Sequence, residues 1–479
     1  MESKLIQYKW KEISDLPEDL YSLRDRELES LCEIWAEEKA RLADDKAVSD
    51  FNDQLAREWA IETGIIEGVY TLDRGITQTL IERGIDSSYI PHNATNRDPE
   101  LVARIIRAHA DVLEGLFSFV TGERPLSVCY IKELHAALLR NQDTVVVFDE
   151  LGRSFDTALE KGAYKRLPNN PTRPDGSIHE YCPPEHVAPE MDRLIEFYGR
   201  HLVRGIQPQV EAAWLHHAFT QIHPFQDGNG RVARTIASIV FIKAGYFPLS
   251  IDRDDREKYI DALESADQGD LSQLIGLFAR VQKRALTKAI GKAVDVRPVK
   301  SVDEAVAATR EMLVHLGRII PKEYLVAKEI AGQFVNVVLA RLNKLLAMLR
   351  DDISAVDRTY EFGVVTLGQP PLTELRSIRE KLKYDPNTEA FHRAVGLMFT
   401  AQGLASRIVV SFHGVGAAFR GLLVVVAYFQ VGDGAPTPLC DDVFRISYQD
   451  SQKEIQPRFE KWLEGCLIDG IARWRRTLV

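Results

Sequence analysis

His223-Pro224-Phe225-Gln226-Asp227-Gly228-Asn229-Gly230-Arg231-Val232-Ala233-Arg234 is the stretch from which the rest of this 479-residue chain is read. Two glycines and an Asp/Asn pair over 227–230 favour a turn, whereas Val232, Ala233, Ile236 and Val240 recur at helical spacing. The stretch is a loop that becomes a helix near Gly230. The first N–H groups of a helix lack internal partners and carry the positive end of its dipole, so with glycines in front this is a seat for an anion, most naturally a phosphate chain. Arg231 and Arg234, three apart, share one face of the first turn, where cations are unfavourable unless something anionic lies beside them. On the other side of the loop stand His223, which can take a proton near neutral pH, and Asp227, a hard oxygen ligand of the kind Mg²⁺ accepts beside substrate phosphates.

A base, a metal carboxylate, an anion seat and two guanidinium groups within one turn of chain are what transfer of a group from a nucleotide to a hydroxyl requires. Each alone is as well explained by a capped helix with a structural imidazole; the set is not. The twelve residues resemble the signature of the Fic family, His-Pro-Phe-x-(Asp/Glu)-Gly-Asn-Gly-Arg-x-x-Arg, with every fixed position filled. The resemblance implies a mainly α fold, a Fic-type helical catalytic core with a β-hairpin-like flap. It also implies transfer of AMP from ATP, with Mg²⁺, to a Ser, Thr or Tyr hydroxyl of a protein, the chain itself included. On this resemblance His223 is the general base and Asp227 the Mg²⁺ ligand. Gly228, Asn229 and Gly230 form the anion hole, Arg231 and Arg234 hold the β- and γ-phosphates, and Phe225 points into the core and fixes the loop.

Thr63-Gly64-Ile65-Ile66-Glu67-Gly68 is the second informative stretch. Thr63 and Glu67 are four apart and share a helix face, and Gly68 removes a side chain just beyond the carboxylate, which would let something approach the backbone closely. Alone, such a glutamate reads as a solvated charge. Beside the first motif, the stretch resembles the family's inhibitory helix, (Ser/Thr)-x-x-x-Glu-(Gly/Asn), in the form that lies N-terminal to the catalytic motif. That resemblance implies that Glu67 pairs with Arg234 and blocks the γ-phosphate position. Tyr259 to Leu263 with Asp267 to Leu271 resembles the family's tail, which makes Tyr259 and Asp267 the residues that support the purine. Gly162 to Ser177, with three prolines and an Asp-Gly turn, is expected as an extended loop or loose hairpin and resembles the family's flap. His135 is expected as a packing residue, and the adjacent His216 and His217 as packing and surface residues rather than a zinc pair.

Length and composition bound the rest. The chain is too long for one ordinary core. An N-terminal helical region carrying the motif 63–68 is expected over 1–110, the catalytic domain over 111–292, and a C-terminal α+β module over 300–479. Helices are expected from Leu16 to Ala60 with no strand before them, and again over 303–319 and 323–350. Strands are expected over 407–412, 422–429 and 444–448, with a closing helix over 459–474. A net charge of −10 and no basic stripe argue against nucleic acid as a partner. Five scattered cysteines without a C-x-x-C pair fit neither a disulfide framework nor a zinc site, which points to a reducing compartment. The first ten residues lack a signal-peptide pattern, and the most apolar run, Gly421 to Phe429, is far short of the ~20 residues a membrane span needs. A cytoplasmic protein without a membrane partner is expected. Two other readings stay open: another reaction on the same core (AMP removal, or UMP, phosphate or phosphocholine transfer), and a catalytically silent interaction scaffold. The C-terminal module is read as recognising a protein, mediating self-association, or serving structure alone.

Overall fold

The structure is a computed structural model that describes residues 6–41, 46–122, 124–148, 154–171, 177–292, 322–353, 356–368, 372–401, 404–415 and 421–478. The chain forms two compact units, Met1–Leu28 with Ser49–Lys283, and Glu29–Val48 with Arg284–Val479. The first carries β1 (Ile6–Tyr8), most of α2 (Lys46–Ile66), α3 (Arg74–Arg83), α4 (Pro99–Thr121), α5 (Val128–Leu138), β2 (Thr144–Phe148), β3 (Ser154–Ala158), β4 (Ile178–His179), α6 (Val187–Arg204), α7 (Pro208–Ile222), α8 (Asn229–Lys243), α9 (Arg256–Asp267) and α10 (Ser272–Lys292) as far as Lys283. Most of α1 (Arg26–Arg41) belongs to the second.

The first unit is built round α7 and α8. Every residue from Arg231 to Phe241 is buried, as are those from Gln209 to Phe219 in α7. Helices buried on all sides lie at the centre of a core rather than on its surface. Around them α4 contributes Val102, Ile106, Leu113 and Leu116, and α5 contributes Ile131, Leu134 and Leu138. Local signals set the ends: Asp98 accepts from the Leu101 N–H at 2.9 Å with Pro99 in the first turn of α4, and Ser127 accepts from Tyr130 at the start of α5.

One expectation is corrected here. A strand does precede Ala60: β1 pairs in parallel with β4, Tyr8 opposite His179. Of the stretch expected as an extended loop or loose hairpin, residues 162–171 are irregular, and residues 172–176 lie outside the described residues. The hairpin of this unit is formed instead by β2 and β3, with Thr144 opposite Ala158 and Phe148 opposite Ser154. Prolines 168 and 171 keep residues 162–171 out of a ladder, because each removes a ladder donor.

The second unit is α+β. Its antiparallel sheet has the order β10 (Phe444–Ser447), β8 (Leu422–Val431), β7 (Leu404–Val415), β6 (Pro386–Ala401), β5 (Glu361–Leu367), with β9 (Thr437–Pro438) also on β8. Alternate side chains divide between two cores. Leu423, Val425, Ala427 and Phe429 pack with α11 (Lys322–Asp352) and α13 (Gln452–Arg476), whereas Val424, Val426 and Tyr428 pack with α12 (Leu372–Leu382). The helices expected over 323–350 and 459–474 and the three expected strands are present; β5, β6 and α12 were not anticipated. The helix expected over 303–319 lies outside the described residues.

Candidate active site

The motif loop joins α7 to α8. α7 ends on His223, whose backbone is left-handed at φ 51°, a conformation that costs a non-glycine residue roughly 1 kcal/mol or more. His223 Nδ1 lies 3.3 Å from the Thr220 carbonyl. A carbonyl only accepts, so Nδ1 carries the hydrogen and Nε2 keeps its lone pair. Burial, with Lys165 nearby, pushes the imidazole down to about 3, which leaves it neutral at physiological pH.

The loop is held by its own side chains. Phe225 is fully buried and stacks on His135 with ring centroids 3.9 Å apart. Asn229 closes the turn on it, accepting from the Phe225 N–H at 2.9 Å and donating to the Phe225 carbonyl at 2.7 Å. What Asn229 offers an anion is therefore its backbone. His135 accepts from the Gly162 N–H at 2.8 Å through Nδ1, so its Nε2 donates to the Asp227 carbonyl at 3.0 Å. It is a buried brace, as expected of a packing residue. Gly228 has φ 80°, and a Cβ on it would lie 2.6 Å from Leu139, so only glycine fits.

The first turn of α8 presents Arg231 and Arg234, both almost wholly buried. Arg231 Nη2 donates to Gln142 Oε1 at 3.0 Å and lies 3.5 Å from Asp227 Oδ2, while Gln142 Nε2 donates to the same carboxylate oxygen at 2.5 Å. Arg234 Nη1 donates to Glu67 Oε1 at 2.8 Å, and its Nη2 donates to the Thr63 carbonyl at 3.2 Å. The Glu67 carboxylate overhangs Gly230 so closely that any Cβ there would collide with it. A carboxylate of the chain itself thus stands where the helix N-terminus and the two arginines favour an anion.

Glu67 comes from a fixed support. It follows α2 directly, and the Tyr70 ring packs over Gly64, where a Cβ would sit 2.5 Å from the ring. Tyr70 Oη donates to the Ile61 carbonyl at 2.9 Å, and Arg253 clasps Glu62 at 2.7 Å. The space about Gly68 is open, and its φ of 66° calls for glycine; within the chain the close approach is at Gly64. Thr63 is buried and reaches Arg234 through its carbonyl rather than its hydroxyl.

Charge in the site is balanced by these contacts. Burial disfavours the Arg234 cation, but Glu67 and Tyr259 beside it prevail and its pKa is raised. For Arg231 burial prevails over the attraction of Asp227 and Glu67, and its pKa is lowered. Burial would raise Asp227, yet Arg231, Gln142 and the Gly228 N–H, 2.6 Å from Oδ1, hold it below its ordinary value. Asp227 is therefore ionised with lone pairs to spare, which fits a Mg²⁺ that takes one carboxylate and fills its shell with phosphate oxygens and water. Among the described residues no group of three or more His, Cys, Asp or Glu side chains could hold a metal by itself, so phosphates would have to complete the shell.

Of the residues singled out in the sequence, His223, Asp227, Gly228 to Arg231, Arg234, Thr63 and Glu67 come together. Tyr259 is buried, with its hydroxyl 2.8 Å from His216 Nε2 and within reach of Arg234, so it supports the arginine. Asp267 lies 3.0 Å from His217 Nε2 and 3.8 Å from His179 Nδ1. Sequence reasoning missed Gln142, Lys165 and Tyr181, because none lies in a spaced pattern. Tyr181 stacks on His223 at 3.7 Å, and the Lys165 ammonium lies 5.8 Å from the Tyr181 ring centroid.

A neutral imidazole, an ionised carboxylate and two guanidinium groups around a glycine-bordered helix N-terminus make a site suited to nucleotide group transfer. The chain is a member of the Fic/DOC family, whose model matches residues 125–241. It is similar to protein adenylyltransferase fic-1 of Caenorhabditis elegans, 26% identical over 49% of this chain and 41% of that protein. It is also similar to protein adenylyltransferase Fic of Aedes aegypti, 38% identical over 16% of each. The chain thus spans well under two thirds of the length of the curated relatives it matches. Among solved structures, a Fic domain containing signaling protein from Bacteroides thetaiotaomicron is 25% identical, with 57% of this chain and 99% of that one covered at a TM-score of 0.46. Among the described residues no helix is long and apolar enough to cross a membrane.

Proposed function

We propose that the chain is a protein adenylyltransferase that moves AMP from ATP to a Ser, Thr or Tyr hydroxyl of a protein, and that Glu67 holds it in a self-inhibited state. The observation that carries this reading is the Glu67 carboxylate on Arg234, 2.8 Å away, above Gly230 at the start of α8. The names of the relatives support AMP as the group moved. In the proposed step His223 Nε2 takes the proton of the target hydroxyl as its oxygen bonds to the α-phosphorus. The bond from that phosphorus to the α,β-bridging oxygen breaks, and pyrophosphate leaves. The backbone N–H groups at Gly228 to Gly230 face the phosphate chain, and Arg231 and Arg234 neutralise its far end. Mg²⁺ bound at Asp227 would supply further neutralisation of the phosphate charge.

With Glu67 in place Arg234 is already paired, so ATP meets a clamp with its cation spent and its γ-phosphate opposed by a carboxylate. Glu67→Gly should raise AMP transfer and tighten ATP binding by ~1–3 kcal/mol of coupling, about 5–150-fold. Arg234→Ala added to it should erase the gain. The measurement is auto-modification with α-labelled ATP, in parallel with γ-labelled ATP, UTP and CDP-choline. Equal AMP transfer by wild type and Glu67→Gly would remove the inhibitory role. Label from another donor in place of AMP would replace the reaction.

A further inference from the structure

His223 is the group whose geometry the proposed reaction depends on most, and its own backbone supplies little to hold it. The residue sits at a strained φ of 51°, and among the described residues its ring has one hydrogen bond, the long 3.3 Å contact from Nδ1 to Thr220. Something else must fix the plane of the imidazole. Its face is covered by Tyr181, with centroids 3.7 Å apart and planes 12° from parallel.

Tyr181 is in turn held from three directions. Its backbone N–H donates to Asn170 Oδ1 at 2.9 Å, and its ring meets His179 at 4.7 Å, while His179 stacks on Tyr8 of β1 at 4.4 Å. Lys165, buried, places its ammonium 5.8 Å from the Tyr181 centroid, a cation facing an aromatic ring. The segment that carries these residues is tied to the motif loop at both levels. The Lys165 N–H donates to the Pro224 carbonyl at 2.8 Å, Lys165 Nζ donates to Asn169 Oδ1 at 2.8 Å, and Asn169 Nδ2 donates to the Phe225 carbonyl at 2.8 Å. Residues 165–170 are thus fastened to the loop they face, and Tyr181 is tied to them through Asn170.

We propose that Tyr181 is a positioning residue for His223: its ring, laid flat on the imidazole, holds the orientation in which Nδ1 bonds to Thr220 and Nε2 is the free nitrogen. Its part is to present the base, and it rests on the reading of His223 given above. The ring face is what does this work. Tyr181→Phe should therefore behave as wild type, whereas Tyr181→Ala and the bulkier but non-planar Tyr181→Leu should let the imidazole rotate.

The test has two arms. In protein isotopically labelled at its histidine ring nitrogens, with the His223 signal assigned by its loss in His223→Gln, the wild type and Tyr181→Phe should show one tautomer with hydrogen on Nδ1. Tyr181→Ala and Tyr181→Leu should show a mixture. In the Glu67→Gly background, Tyr181→Ala and Tyr181→Leu should lower kcat by about 10–100-fold with KM for ATP unchanged, because a base displaced by an ångström costs turnover and not nucleotide binding. A single wild-type tautomer with undiminished kcat in the Leu variant overturns the proposal, and so does failure of Tyr181→Phe to match wild type. If Glu67→Gly transfers nothing at all, the functional reading is at fault, and the tautomer spectrum still decides whether Tyr181 holds the ring.

Discussion

Each unit of the molecule sets a histidine against a tyrosine, buried at His413 and half-buried at His223, and the two differ in how their ring nitrogens are used. His413, in the sheet of the second unit, has Tyr384 Oη 3.0 Å from Nε2 and Ser411 Oγ 3.2 Å from Nδ1, so both ring nitrogens are used. His223 has a partner at Nδ1 only, and its tyrosine covers a face rather than a nitrogen. Burial pushes both down to about 3, so the electrostatic environment does not separate them. What separates them is the lone pair left over. A depressed histidine pKa marks desolvation; such a histidine with an uncommitted nitrogen beside an ionised carboxylate marks chemistry.

The largest expected effect falls on the uncommitted member. His223→Ala, placed in the Glu67→Gly background, should lower AMP transfer by about 10²–10⁴-fold while ATP binding by calorimetry stays within twofold, because a general base acts on the hydroxyl and not on the phosphates. A variant that keeps its rate would break the comparison, since the free nitrogen would then have no consequence.

The committed member should give the opposite pattern. His413→Ala removes the partner of two buried hydroxyls and should cost about 1–3 kcal/mol in denaturant unfolding, with the transfer rate per folded molecule unchanged. Loss of transfer without loss of stability would mean that a saturated histidine is no guide to a structural role.

The same distinction governs what could be read from the sequence. Residues 223–234 were legible because the loop, the glycines and the helix start are local, and the brace at Asn229 spans only four residues. Glu67 lies 167 residues from Arg234, and only a family pattern made the pair foreseeable. Tyr181 lies just past a stretch whose prolines excluded a helix but predicted no partner, so its stacking on His223 had no signal. The hairpin of β2 and β3 was missed because its sequence shows no clear alternation: β3 reads Ser-Phe-Asp-Thr-Ala, and in β2 the apolar Val146 is 56% exposed. In β6 the inward residues Phe391, Val395, Leu397 and Phe399 do alternate, but Pro386, Asn387, His392 and Gly396 between and before them hide the period. By contrast β8 is apolar from Leu422 to Phe429 because both of its faces are covered, and such a run is visible without any alternation.

The smallest effect concerns Lys165, the cation behind Tyr181. Burial pushes its ammonium down to about 8, well below an ordinary lysine. A cationic group whose pKa is lower in the folded chain loses its proton there first, so between about 8 and the unfolded value near 10.4 the unfolded chain holds more protons. Stability therefore rises with pH across that window, and below it the buried charge is a standing cost. Between pH 7 and 9 the contribution should be about 1 kcal/mol in favour of the higher pH. Lys165→Met removes the titrating group while keeping an apolar stem of similar length, so its unfolding free energy should lack this increment relative to wild type. Urea unfolding at pH 7, 8 and 9 for both proteins measures the difference directly. Parallel pH profiles would mean that Lys165 keeps an ordinary pKa, in which case its charge is solvated and the cation does not press on the Tyr181 and His223 pair at all.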